Sequence, residues 1–378
     1  MQMKTLIFSH SVEGHFLEYI HHLYHGASLI KDEDFIFVLH PNFQKVKNKL
    51  IWDSCSNITI EFIEEKDIEE IKNHKLLKSY ILCKILKKAA KKHNIINVFL
   101  ISLMSVMPFV PLFFNKKTNI SGIIYMIYLY RWHNSNLVSR IIDILKHIIF
   151  SNSKVFGNVF LLNDKIAPIY LNRKFKSKVY KYLPDPFISI PEGELKNLRL
   201  ELNISNDKNV FLHFGALAER KGTIEILKAI IESDESVMKN SCFIFAGKIS
   251  VDIRETFYSI LNKAKLKTQI IIYDEFCDYN FIGSLCLSSD FLLIPYKNSA
   301  QSSGVLGYGS QFKIPLVSPS NGLLGKLVKR YKMGVLLEDY SSDYLKIFFE
   351  NNDNNNLSIE TNYITNRNVS DFINTIFK

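Results

Sequence analysis

Cysteine is sparse and scattered. Its five copies, at 55, 83, 242, 277 and 286, include no CxxC pair and stand beside no cluster of histidines. Such spacing supports neither a zinc site nor a disulfide framework, so they read as small buried apolar residues of a reducing cytoplasm. No GxGxxG follows the first strand of either half, which removes the fingerprint of a dinucleotide-dependent oxidoreductase. No run reaches the ~20 apolar residues that span a bilayer. The uncharged stretch 98–114 comes nearest, but Pro108 and Pro111 interrupt it. It reads as a buried strand at 97–102, a loop, and a helix opening near Pro108. The first residues lack the basic segment, apolar stretch and small-residue cleavage site of a secretory signal, and 4–8 read as a strand.

Acidic residues are outnumbered. Lys and Arg total 47 against 37 Asp and Glu, a formal charge of +10. A basic balance suits nucleic acid, an anionic membrane surface or phosphate-bearing substrates. No basic run is interleaved with aromatics, so no nucleic-acid partner is expected. Lys, Ile and Asn are abundant together, as a bias toward A- and T-rich codons would give. Net charge alone therefore selects no partner.

What is present is alternation. A chain of 378 residues is long for one core, since domains run to roughly 100–200 residues. In the first half, 5–8, 35–39, 58–62, 97–102 and 122–128 read as strands, and 16–29, 76–92 and 137–150 as helices. The second half restarts the pattern, with strands at 210–214, 242–246, 269–273, 291–295 and 315–318. Helices at 222–232, 253–264, 281–288 and 303–311 lie between them. Alternating strands and helices imply an α/β fold with parallel sheets covered on both faces. Two such halves suggest two Rossmann-like domains facing across a cleft. The boundaries read as 1–186 for the first domain, 187–209 for a linker rich in Pro and charge, and 210–358 for the second. Residues 359–378 form a tail free to pack back on the first domain.

Two stretches of the second half carry chemistry. In Phe214-Gly215-Ala216-Leu217-Ala218-Glu219-Arg220-Lys221-Gly222, a strand ends, a glycine follows, and two adjacent cations precede a helix. Open α/β sheets bind ligands at the carboxyl ends of their strands. There Lys221 offers phosphate a point charge and Arg220 a fork. A solvent-exposed Arg-Lys pair is the plainer alternative. In Ser299-Ala300-Gln301-Ser302-Ser303-Gly304-Val305-Leu306, small and polar residues open a helix, whose first amides form an anion site. A simple cap would explain Ser302 or Ser303 but not the whole run. Asp290, just before a strand, reads as structural.

The order FGALAERKG, FIFAGK, SSDFLLIPY and SSGVLGYGSQFKIPLVSP resembles the donor domain of retaining glycosyltransferases of family four, which have the GT-B fold. The resemblance covers about residues 205–340 well; the first half agrees in general layout. It implies that the chain moves a sugar from a nucleotide-diphosphate sugar, its co-substrate, to a saccharide or lipid-linked acceptor. Lys221 would neutralise the diphosphate, with Gly215, Arg220, Gln301 and Ser302 around it. The amides of Ser303, Gly304 and Val305 would hold phosphate and face the sugar. Tyr273, Glu275 and Phe276 would line the base, and Tyr308 the ribose. A polysaccharide or surface-glycan pathway and retention of configuration are implied by the resemblance alone. No DxD-like acidic pair ends a strand, so no metal or other cofactor is expected.

The chain departs from the pattern. Ala216 stands where an arginine is usual. The family's paired glutamates fall on Ala300 and Tyr308, which leaves room for a protein that binds a nucleotide sugar without turnover. In the first half, Ser9-His10-Ser11-Val12-Glu13-Gly14-His15 looks like the family's glycine-containing loop near the reacting groups. Gly14 would admit the donor diphosphate or the acceptor, His10 and His15 would act on sugar or acceptor, and Glu13, Arg131 and His133 would meet the acceptor. A helix-capping loop with a surface histidine is the alternative. The basic helix 76–92 sets Leu77, Ile81, Ile85 and Leu86 apart from Lys78, Lys84, Lys88 and Lys91. It reads first as a core helix with a solvated face, and second as a peripheral contact with an anionic membrane at the cytoplasmic face.

Overall fold

The computed structural model of the chain describes residues 3–49, 52, 54–125, 136–351, 359, 362–365 and 367–377. It divides into two compact units, Met1–Pro186 with Val369–Lys378, and Phe187–Asn368.

The first unit holds β1 (Met3–Ser9), α1 (His15–Leu29), β2 (Glu33–Leu39), β3 (Ile58–Phe62), α2 (Glu65–Asn73), α3 (Lys78–Lys92), β4 (Asn97–Leu100), β5 (Asn119–Ile124), α4 (Leu137–Asn152), β6 (Phe156–Leu162), α5 (Ala167–Lys174) and β7 (Tyr180–Leu183), short helices aside. Its strands run parallel in the order β3-β2-β1-β4-β5-β6-β7. The chain winds outward from β1 to β3, then returns to β4 and winds the other way. The β1/β4 junction is therefore the switch point, where loops diverge and leave a crevice. Near-continuous apolar runs such as Phe35-Ile36-Phe37-Val38-Leu39 are buried throughout, as a strand covered on both faces requires.

The second unit holds β8 (Asn209–Phe214), α6 (Thr223–Glu232), β9 (Ser241–Ala246), α7 (Val251–Lys265), β10 (Gln269–Tyr273), α8 (Tyr279–Leu287), β11 (Phe291–Leu293), α9 (Val305–Phe312), β12 (Leu316–Pro319), α10 (Gly322–Arg330), β13 (Gly334–Leu337) and α11 (Ser342–Asn351). Its parallel order is β10-β9-β8-β11-β12-β13, with the switch point at β8/β11. Phe211 anchors the core, stacked on Phe243 at 4.9 Å and on Phe291 at 5.3 Å, with Phe349 at 5.1 Å. Each such pair adds about 0.5–1.5 kcal/mol beyond its buried area.

Several expected boundaries move. The strand expected at 122–128 begins earlier, because Asn119 pairs with Asn97 in register; residues 126–128 lie outside the described residues. The helix expected near Pro108 is only the short turn Val110–Phe113. Residues 187–209, read as a linker, pack onto the second unit through buried Ile190, Leu198 and Ile204. Arg199 fastens them, donating to Ser288 O at 3.1 Å and pairing with Asp290 Oδ2 at 2.6 Å. Asp290 also accepts the Val210 amide at 2.7 Å, the structural role its position suggests. The last helix, α12 (Val369–Phe377), packs on α1 of the first unit. There a Cβ on Gly26 would fall 2.6 Å from Ile373, and Phe372 is fully buried.

In α3, Ile81, Leu82, Ile85 and Leu86 are buried. Lys84 and Lys88 pair with Glu70 and Glu64 of the α2 region. This is the core-helix arrangement. Among the described residues no helix is long and apolar enough to cross a membrane.

Candidate functional site

At the β8/β11 switch point, two loops are stitched together. Gly215 follows β8 at φ +94°, and a Cβ there would lie 2.7 Å from the Lys221 ammonium. Absence of a side chain thus lets Lys221 fold back over the strand end. Its Nζ sits 3.4 Å from Phe214 O and 5.0 Å from the centre of the Tyr296 ring. Tyr296 follows β11, and its hydroxyl lies 3.2 Å from Ser303 Oγ. One tyrosine therefore joins the expected phosphate lysine to the expected phosphate helix.

The stitching continues in the backbone. The Lys297 amide donates to Arg220 O at 3.0 Å. Gly222, left-handed at φ +71°, lies so close to Pro295 that a Cβ would stand 2.1 Å from its carbonyl oxygen. The Lys297 ammonium bridges Glu219 and Glu225, the latter at 2.7 Å. The Arg220 side chain itself is exposed.

The helix α9 begins at Val305, with Gly304 as its cap residue, two positions after the expected start. Its first turn is closed by Leu306 N–H to Ser303 O and Gly307 N–H to Gly304 O. The Val305 amide already donates to Ser303 Oγ at 3.3 Å. Of the three expected phosphate amides, this leaves Ser303 and Gly304 ahead of the first turn, where helical amides have no intrahelical partner. Gly304 is exposed, and a Cβ on it would meet nothing within 4 Å. Gln301 and Ser302 sit half-buried in the same loop, whereas Ala300 is buried.

Neighbouring strand ends complete the rim. Gly247, after β9, approaches so closely that a Cβ would be 1.9 Å from Gly215 O, and its amide donates to Tyr273 O at 2.8 Å. Tyr273 packs edge-on against Phe281 at 4.9 Å. Glu275 and Phe276 are exposed beyond it. Tyr308 lies on the other side, its ring 5.0 Å from Phe214 and 5.4 Å from Phe187. Below Lys221, buried His213 bonds Leu293 O at 2.8 Å and Thr223 Oγ1 at 3.0 Å. Burial pushes its imidazole down to about 3; the Leu293 carbonyl opposes the shift and Lys221 adds to it. A neutral ring makes Nδ1–H the donor to Leu293 O, so this histidine ties β8 to β11 without charge.

In the first unit, Gly14 caps α1 at φ 57° and ψ −134°, a conformation suited to glycine. A Cβ there would meet nothing within 4 Å. His15, expected in the loop, is the first residue of α1. Its ring lies 4.7 Å from Phe16 and 4.7 Å from Tyr125. His10 sits edge-on to Phe16 at 5.7 Å. Burial lowers its imidazole to about 4, with Lys78 and His40 adding to the effect. Glu13 is exposed. Nearby, the Tyr19 hydroxyl donates to Asp185, which also accepts from Asn163 Nδ2 at 3.3 Å. Among the described residues the Tyr125 hydroxyl is buried without a partner. Arg131 and His133 lie outside the described residues.

Sequence reasoning missed Tyr296, Lys297, Gly247 and His213. The Pro295-Tyr296-Lys297 run after β11 was the available signal, since it follows a strand at the sheet's carboxyl edge.

No protein-family model matches the sequence, and no curated protein matches it significantly. Solved structures do. HepE of Anabaena, in complex with UDP and glucose, aligns with a TM-score of 0.68 at 14% identity, over 99% of this chain and 98% of that one. WaaG, a glycosyltransferase involved in lipopolysaccharide biosynthesis, aligns at 0.62 and 13% identity, over 91% and 89%. The trehalose-6-phosphate synthase OtsA aligns at 0.63 and 11% identity, over 99% and 98%. Likeness at such low identity speaks to architecture, and with the two parallel sheets it establishes the GT-B fold of two Rossmann-like domains for this chain.

Proposed function

We propose that the chain is a glycosyltransferase that takes a sugar from a nucleotide-diphosphate sugar and passes it to a saccharide or lipid-linked acceptor. The observation that carries the reading is the junction of Lys221, Tyr296 and Ser303 where β8 and β11 end. Breaking the bond between the anomeric carbon and the diphosphate leaves growing charge on phosphate. A fixed ammonium and helix-start amides aimed at that charge lower the barrier. Lys221 supplies the charge, Ser303 and Gly304 supply amides, and Arg220 adds a cation nearby. Tyr273, Glu275, Phe276 and Tyr308 take the nucleoside. The loop His10–His15 takes the acceptor side, with neutral His10 available to accept a proton or hydrogen bond. This chemistry needs no metal. Retention of configuration and a role in surface-glycan synthesis follow the family resemblance.

A second reading, binding without turnover, is favoured by Ala300 and Tyr308 where the resemblance places carboxylates. Tyr308 is packed among Phe214 and Phe187, so it can offer a hydroxyl but no charge. Incubation with a panel of UDP- and GDP-sugars, with and without saccharide acceptors, separates the two. Acceptor-dependent release of nucleoside diphosphate supports transfer. A folded protein that binds a nucleotide sugar but neither transfers nor hydrolyses it supports the second reading.

A further inference from the structure

Helix α4 is turned inside out. At about 100° per residue, Leu137, Val138, Ile141, Ile142, Leu145 and Ile148 fall on one side, and that side is exposed. Leu137 is 71% exposed and Leu145 52%. The buried side instead carries Asp143, His147 and Phe150. Specific contacts hold this orientation. His147 Nδ1 bonds the Tyr180 hydroxyl at 2.8 Å, and its ring stacks on Phe175 at 5.7 Å. Rotating the helix to hide its apolar side would break them. Phe175 caps the end of α5, so α4 meets α5 there, and the start of α5 carries exposed Ile166, Ile169 and Tyr170.

The charges around this face have one sign. Between residues 137 and 181 there are nine Lys and Arg and two acids, Asp143 and Asp164. Both acids are buried, whereas Lys165, Arg173, Lys174 and Lys176 are exposed. Exposed apolar side chains with exposed cations near them in the chain fit a surface that is apolar inside and anionic outside. We propose that the α4–α5 face docks the chain onto an anionic lipid bilayer, with the apolar side chains at the acyl boundary and the cations at lipid phosphates. A second copy fits less well, because a two-fold contact through this face would set like-charged rims against each other. The proposal does not depend on the transferase reading.

Co-sedimentation with vesicles tests it. Phosphatidylcholine vesicles, with and without phosphatidylglycerol, are compared at about 0.1 M and about 1 M salt. The chain is expected to bind the anionic vesicles and to weaken in high salt. Ile141→Gln with Leu145→Gln should cut binding more than about tenfold while leaving the thermal melt in place. Lys174→Glu with Lys176→Glu, at two exposed positions, should also weaken it. The proposal is overturned if the wild-type chain ignores anionic vesicles, if the folded glutamine variant binds as well as wild type, or if sedimentation velocity shows a dimer that this variant splits while neither form binds lipid. Should the glutamine variant fail to fold, the charge-reversal variant and the lipid and salt comparisons decide.

Discussion

Gly215 and Lys221 share one volume: the ammonium lies where a side chain on residue 215 would begin, 2.7 Å from its ideal Cβ. The glycine therefore has two duties, to take φ +94° and to leave room for the charge. Gly215→Ala is expected to cost ~1 kcal/mol or more in stability and to displace the lysine. Thermal melting and nucleoside diphosphate titration of the same sample would register both effects. Unchanged affinity in a destabilised variant would separate the lysine from phosphate binding.

Lys221→Ala should remove transfer while leaving the melt nearly unchanged, since the side chain makes one long hydrogen bond, to Phe214 O, and one ring contact. By analogy with removing one preorganised donor, the loss should reach about 10²–10³ in kcat. Tyr296→Phe keeps the ring under the ammonium and deletes only the hydroxyl near Ser303, so its effect should stay within about tenfold. Steady-state kinetics on both variants tests the ranking. Full activity in folded Lys221→Ala would remove the assigned phosphate site.

Stability should fall as the solution is acidified. His213 has an ordinary pKa of 6.5 and a folded value of about 3. The unfolded chain therefore takes up a proton below 6.5 that the folded chain refuses, and unfolding gains as pH falls toward 3. Burial of His22, held down to about 3, and of His10, at about 4, acts in the same direction. Carboxylates titrate mainly below this range, so melting temperatures between about pH 6.5 and 5 should report the histidines. His213→Gln should flatten that slope; an unchanged slope would relieve His213 of the role.

Phe211→Ala empties the centre of the second unit's aromatic stack. The expected cost is about 3–5 kcal/mol, readable by denaturant titration. Because the residue is buried at mid-sheet, any loss of activity should follow loss of folded protein.

Where local pattern decided the outcome, the sequence was readable. The strand Val210–Phe214, the following Gly215 and the Ser299–Leu306 run were visible from apolar runs and helix-opening chemistry. Asp290 was likewise readable as structural. Non-local pairing was not. Nothing in the chain order shows that Tyr296 would stand between Lys221 and Ser303, because that depends on β11 lying beside β8. The stretch 187–209 looks polar, yet Ile190 and Leu198 find partners far along the chain, in Gln311 and Ser288, and Ile204 is buried. His15 was placed in the loop because the run Ser9–His15 looks like the family's glycine-containing loop, whereas Gly14 ends the loop and the helix starts at once.

The docking of Val369–Phe377 on the first unit means that the polypeptide leaves that unit after Pro186 and comes back to it. The first unit is then split in the gene, and the second, Phe187–Asn368, is a continuous insert within it. A fragment stopping at 186 would lack Phe372 and Ile373 and leave the Gly26 side of α1 bare to water, so a self-sufficient piece would have to splice the last helix directly onto the first unit.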